Sequence, residues 1–170
     1  MKSNKNIVLI GMMGARKTSI GKILSKKLNF TFIDIDQKIE ETEDSKISEI
    51  FTKYGEKYFR KIEEKISWKY LSTENSEKSL GGGGLINTSI RKMCKKNCLP
   101  FWLDWKTETI IKRIYKSKKR PLAINLTKTQ INNLIKEGSK FYSMSSYRIN
   151  CDKLDKVEII NKILEIYEYK

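Results

Sequence analysis

The amino-acid sequence predicts a doubly wound α/β domain, and two observations carry that prediction. Residues 6–35 read as strand, glycine turn, helix and strand, a βαβ unit whose parallel pairing requires a right-handed crossover. Apolar segments of strand length then alternate with helical patterns to the end of the chain, without an internal repeat or a linker. At 170 residues the chain is long enough to bury one core, so residues 1–170 are read as one domain.

The first element, Asn6–Ile10, is a short β-branched, apolar run that stops at Gly11, the pattern of a strand buried on both faces. After the turn at 11–15, Ile20, Ile23, Leu24 and Leu28 recur at helical spacing. Residues 31–35 form a second strand with carboxylates at its end, and helices are expected over 46–53 and 58–71. In the second of these, Phe59, Ile62, Ile66 and Tyr70 share one stripe. Four consecutive glycines, Gly81 to Gly84, lie between Leu80 and Leu85, and such a run suits close approach of backbone to a ligand better than any helix or strand interior. Residues 100–103 read as a buried strand and 107–115 as a helix that runs into a polar stretch before Pro121. A helix from 127 to at least 136, a last strand at Tyr147–Asn150 and an amphipathic helix over 155–167 complete the chain.

Lys and Arg number 35 against 20 Asp and Glu, a formal charge of +15 that favours anionic partners. Only six of the basic residues are Arg, and the lysines are dispersed without a stripe of interleaved aromatics. Solvated helix faces therefore explain the charge better than a nucleic-acid surface does. The absence of histidine excludes Ser/His and Cys/His nucleophile pairs, imidazole metal ligands and a histidine base, leaving acid/base work to carboxylates or lysine. Cys94 and Cys98 are spaced for neighbouring turns of a helix and Cys151 is distant, a pattern of plain thiols in a reducing cytoplasm rather than a zinc knuckle. Lys2 and Lys5 before the apolar residues 7–15 imitate a signal peptide, but Arg16 and Lys17 interrupt the run. No apolar stretch approaches the ~20 residues that span a bilayer, so neither secretion nor a membrane partner is expected.

Residues 11–18, Gly-Met-Met-Gly-Ala-Arg-Lys-Thr, follow the phosphate-loop pattern Gly-x-x-x-x-Gly-Lys-Ser/Thr except that Arg16 occupies the second glycine position. Such a loop wraps backbone N–H groups around a phosphate at a helix N-terminus, with lysine bridging onward and a hydroxyl holding Mg²⁺. The plain alternative is a turn followed by a surface lysine. If position 16 takes positive φ, arginine there costs on the order of 1–2 kcal/mol. Asp34 and Asp36 stand at the carboxyl end of the second strand, where open α/β sheets bind their ligands, and alternation puts both on one face. Arg60 lies beside the apolar stripe with Glu63 and Glu64 in reach of its guanidinium.

Together with Gly81-Gly82-Gly83 and Arg120-Pro121-Leu122, these motifs resemble the shikimate kinase family over nearly the whole chain. The resemblance implies a three-layer α/β/α kinase domain around a five-stranded parallel sheet of the nucleoside-monophosphate-kinase type, with a lid segment at about 116–126. It implies transfer of the γ-phosphoryl group of ATP to the 3-hydroxyl of shikimate, in the route to chorismate and the aromatic amino acids. Gly11, Gly14, Ala15, Arg16, Lys17, Thr18 and Ser19 would then surround the nucleotide phosphates, Arg113 would lie against the adenine, and Arg120 would come down with the lid onto the transferring group. Thr18 and Asp34 would hold Mg²⁺ directly or through water. Asp36 would bind the acceptor hydroxyls and take the attacking proton, Arg60 would pair with the shikimate carboxylate, Glu63 would orient Arg60, and the Gly82 and Gly83 backbone would approach the ring. Lys17, Asp36 and Arg120 are thus the expected catalytic residues of a cytoplasmic monomer without a nucleic-acid or membrane partner.

A second departure accompanies Arg16. Gly138, four residues before Tyr142, stands where the family usually carries another substrate-binding arginine, and Lys140 and Arg148 are nearby in sequence. Losing one charge-assisted contact to a carboxylate weakens binding by ~1.5–3 kcal/mol. Two other readings therefore stay open: a degenerate kinase fold that binds a ligand or partner without turnover, and a kinase for another small hydroxylated acid.

Overall fold

A strand buried at all five residues needs neighbours on both edges and cover on both faces, and β1 (Asn6–Ile10) has them. In the computed structural model, which describes residues 5–117 and 126–169, β1 pairs in parallel with β3 (Ser76–Ser79) on one side and β4 (Cys98–Asp104) on the other. β2 (Thr31–Asp34) extends the sheet beyond β3, and β5 (Tyr147–Asn150) beyond β4. The result is a five-stranded parallel sheet in the order β2-β3-β1-β4-β5.

Seven α-helices flank the sheet among the described residues: α1 (Lys17–Leu28), α2 (Ile35–Glu43), α3 (Ile47–Leu71), α4 (Thr88–Asn97), α5 (Thr107–Lys116), α6 (Lys128–Tyr142) and α7 (Lys156–Glu168). Successive residues of β3 show the layers, because side chains alternate between faces. Glu77 abuts Gly21 of α1, while Lys78 points the other way, toward Thr73 and the thiols of Cys94 and Cys98. α1 and α7 accordingly pack together on one face, and α3 and α4 on the opposite one. Parallel pairing collects the carboxyl ends of all five strands at one edge, where the functional residues gather.

Several elements depart from the sequence expectation. β3 escapes an apolar-pattern reading, since Ser76-Glu77-Lys78-Ser79 is wholly polar yet wholly buried. Lys78 is accommodated by donating to the Thr73 carbonyl at 2.6 Å, and burial pushes the Glu77 carboxyl well above its ordinary range. α2 presents only two buried residues, Ile35 and Ile39, too sparse a stripe to stand out. The helices expected at 46–53 and 58–71, by contrast, are both present as the two arms of α3, parted by a kink at Gly55, whose φ 77° and ψ 174° are not helical. Cys98 opens β4 instead of sharing a helix with Cys94, and all three cysteines are free and buried. Pro100 sits inside β4 because it precedes Phe101, the first residue that β5 pairs. Of the expected lid, residues 118–125, Arg120-Pro121-Leu122 included, lie outside the described residues.

Candidate active site

β1 delivers the chain to the loop, which turns through Gly11 (φ 144°) and Gly14 (φ 85°) before α1 begins. Arg16, the N-cap of α1, has φ 67° and ψ 22°, the left-handed conformation that glycine adopts without penalty. Its side chain is exposed. The Lys17 ammonium curls back over the loop and donates to the carbonyls of Gly11 at 2.8 Å and Met12 at 3.2 Å. Thr18 Oγ1 donates to Asp34 Oδ2 at 2.8 Å, and Ser19 Oγ to the Arg16 carbonyl at 3.1 Å. Ala15 is buried, and its carbonyl accepts the indole N–H of Trp105 at 3.0 Å. Arg113 lies beside the loop, its guanidinium 3.7 Å above the Trp105 ring and donating to the Gly14 carbonyl at 3.1 Å.

The acceptor side is assembled from α2, α3 and the glycine run. β2 ends at Asp34, which caps α2, so Asp36 belongs to the first helical turn and not to the strand. The two carboxylates remain neighbours because the strand passes directly into the helix. Burial pushes the Asp36 carboxyl up to about 6 against the pull of the Lys17 ammonium, with the charges of Asp34 and Glu63 adding to the rise. Gly81 packs so tightly against Asp36 that a Cβ there would lie 2.5 Å from Oδ1.

On α3, Arg60 is clamped by Glu63 at 2.7 Å and by Glu56 at 3.2 Å. Glu64, expected to share that task, instead accepts from Asn87 Nδ2 at 3.0 Å. Glu63 is almost wholly buried, and burial raises its carboxyl in spite of Arg60. Gly83 presents its backbone to the Arg60 guanidinium, and the Gly82 carbonyl accepts the buried Tyr142 hydroxyl at 2.5 Å.

One strand edge thus unites an ammonium beside a helix N-terminus, a hydroxyl–carboxylate pair, a carboxyl of raised pKa and a braced guanidinium. The Thr18 and Asp34 oxygens fit Mg²⁺, a hard ion that takes few protein ligands and leaves its other positions to water and phosphate.

The family profile described as Shikimate kinase matches residues 13–168. The chain belongs to the shikimate kinase family. The shikimate kinase of Persephonella marina is 38% identical over 161 residues, covering 94% of this chain and 97% of that protein. The shikimate kinase of Staphylococcus haemolyticus is 39% identical over 168 residues, with 96% and 94% covered. Among solved structures, the shikimate kinase of Acinetobacter baumannii in complex with shikimate has a TM-score of 0.90 at 28% identity, covering 97% of this chain and 93% of that one. The shikimate kinase of Bacteroides thetaiotaomicron has a TM-score of 0.89 at 29% identity, covering 96% and 98%.

Within this shikimate kinase fold the second departure has a local structure. Gly138 lies under the Tyr142 ring, where a Cβ would meet ring atoms at 2.8–2.9 Å. Neither nearby cation takes the place of an arginine at 138: Arg148 pairs with Asp104 at 2.6 Å and stacks on Trp102, and Lys140 pairs with Glu137 at 2.6 Å. The sequence reading missed Trp105, Tyr142 and Glu56 as members of the site. Glu56 left a signal in its position four residues before Arg60, and Tyr142 in the spacing that sets it four residues after Gly138; Trp105 left none.

Proposed function

We propose that this chain transfers the γ-phosphoryl group of ATP to the 3-hydroxyl of shikimate. The observation that carries the reading is the setting of Asp36, a carboxyl raised to about 6 within the electrostatic reach of Lys17 and of Glu63, the carboxylate that braces Arg60. Phosphoryl transfer gains mainly from positioning and from cations around the transferring group. Lys17 exchanges the Gly11 and Met12 carbonyls for nucleotide phosphates, which the first-turn amides of α1 also face. Gly11, Gly14, Ala15, Arg16 and Ser19 form the rest of that cradle. Thr18 and Asp34 hold Mg²⁺, which when bound neutralises charge on the phosphate oxygens. Arg60, aimed by Glu63, binds the acceptor carboxylate beside the Gly82 and Gly83 backbone. Asp36 accepts the hydroxyl proton and is ionised above pH about 6. Arg113 meets the adenine with the face opposite Trp105, and Arg120 is the remaining cation for the transferring group.

The three free, buried thiols support a cytoplasmic protein. No helix among the described residues is long and apolar enough to cross a membrane. An assay of ADP release with ATP, Mg²⁺ and shikimate tests the function, with release expected only when shikimate is present. ATP binding without transfer, or transfer only to another hydroxylated acid, would overturn it.

A further inference from the structure

A residue other than glycine stays in the left-handed region only where its surroundings hold it. Arg16 is held on both sides. Rotation of the 15–16 peptide plane sets its φ, and the oxygen of that plane, the Ala15 carbonyl, accepts the Trp105 indole N–H at 3.0 Å. Rotation of the following plane sets its ψ, and that oxygen, the Arg16 carbonyl, accepts Ile20 N at 3.0 Å and Ser19 Oγ at 3.1 Å. The second bracing is the helix itself, common to any residue at this N-cap. The first comes from elsewhere in the fold. Trp105 joins β4 to α5, and the loop already rests on the end of that strand, since a Cβ at Gly11 would lie 2.9 Å from the Leu103 carbonyl. Arg113 adds a further brace by stacking on Trp105 and donating to the Gly14 carbonyl, one peptide earlier.

We infer that Trp105 is a positioning residue of the nucleotide site, whose indole N–H holds the 15–16 peptide in the orientation that a glycine at position 16 would adopt unaided. The inference rests on the phosphate-loop part of the proposed function. It makes the two residues a coupled pair: arginine is tolerated at 16 because tryptophan stands at 105. Without the N–H, a loop containing Arg16 relaxes out of the left-handed region and must be driven back whenever nucleotide binds. A loop containing glycine has no strain to relax.

The test is a cycle of four proteins: the parent, Trp105→Phe, Arg16→Gly and the double variant. Phenylalanine removes the donor while keeping an aromatic ring beneath Arg113, and the loss of ring size is common to both backgrounds and cancels in the cycle. ATP affinity is measured by calorimetry, and amide exchange of residues 11–19 is followed in nucleotide-free protein. Trp105→Phe should weaken ATP binding about tenfold with Arg16 in place and about twofold or less in the Arg16→Gly background. Loop exchange should accelerate only in the first pair. An equal loss of affinity in both backgrounds, or no loss in either, would overturn the inference. If the parent protein bound no ATP, the proposed function would fall, and the exchange comparison would by itself decide whether Trp105 and Arg16 are coupled.

Discussion

Asp36→Asn should make the protein more stable at neutral pH while removing its activity. The folded chain holds the Asp36 proton more tightly than the unfolded chain does, since burial raises the carboxyl from 3.8 to about 6. Between pH about 4 and 6 unfolding therefore releases protons, and stability falls as the pH rises; above pH about 6 the whole cost is in place. A rise of that size corresponds to about 3 kcal/mol of lost native stability. A buried amide retains part of the desolvation cost, so about half of this should be recovered, a gain in Tm of roughly 3–6 °C for a chain of this size. Thermal unfolding of both proteins at pH 4, 5.5 and 7.5, with the kinase assay at the same pH values, measures both effects. The stability gap should be widest at pH 7.5 and close toward pH 4, and the parent's kcat/KM should rise through pH about 6. An Asn variant no more stable than the parent at pH 7.5, or a gap unchanged at pH 4, would refute the argument that Asp36 is a destabilised, functional carboxyl.

Lys17→Ala should lower turnover at least about a hundredfold while leaving far-ultraviolet circular dichroism unchanged, because its ammonium, which donates to the Gly11 and Met12 carbonyls, serves the phosphate loop and not the sheet or helices. Arg60→Ala should abolish shikimate binding with ATP affinity retained, and should also destabilise the fold by about 1–3 kcal/mol by leaving the buried Glu63 without its cation. Adding Glu63→Gln should restore that stability without restoring binding, as calorimetry and thermal unfolding will show. Gly138→Arg should not simply add a carboxylate contact, because its Cβ would enter the space of the Tyr142 ring. A stability loss of about 1–3 kcal/mol is expected, and an unchanged Tm with tighter shikimate binding would show that Tyr142 swings aside freely.

The parts legible in the sequence were those written in local pattern. The apolar run of β1, the loop at 11–18, the glycines at 81–84 and the apolar stripe of α3 each identify themselves within a few residues. The departure at Arg16 was equally legible, because the loop pattern carries glycine there, and the positive φ on which its cost depends is the one the structure has. Illegible were features that exist only through tertiary neighbours. The polar segment Ser76–Ser79 is a strand because β1 and β2 offer it backbone partners on either side. Asp36 joins a helix because Asp34 caps one. Trp105 reads in isolation as one more apolar residue, and only the 90-residue separation bridged by its bond to Ala15 gives it a task.

The burial of all three thiols turns the protein into its own clock for unfolding. Alkylating reagents attack thiolates, and burial pushes the Cys98 thiol up to about 11 and the Cys151 thiol up to about 12, with Cys94 raised as well. A folded molecule at neutral pH therefore offers almost nothing to react, and the speed of labelling measures how often it opens. Position adds resolution to that clock. Cys94 and Cys98 lie where α4 meets β4 inside the sheet, whereas Cys151 follows the edge strand β5. Mass analysis of partly labelled molecules would separate peeling of the edge from rupture of the centre, without any introduced probe.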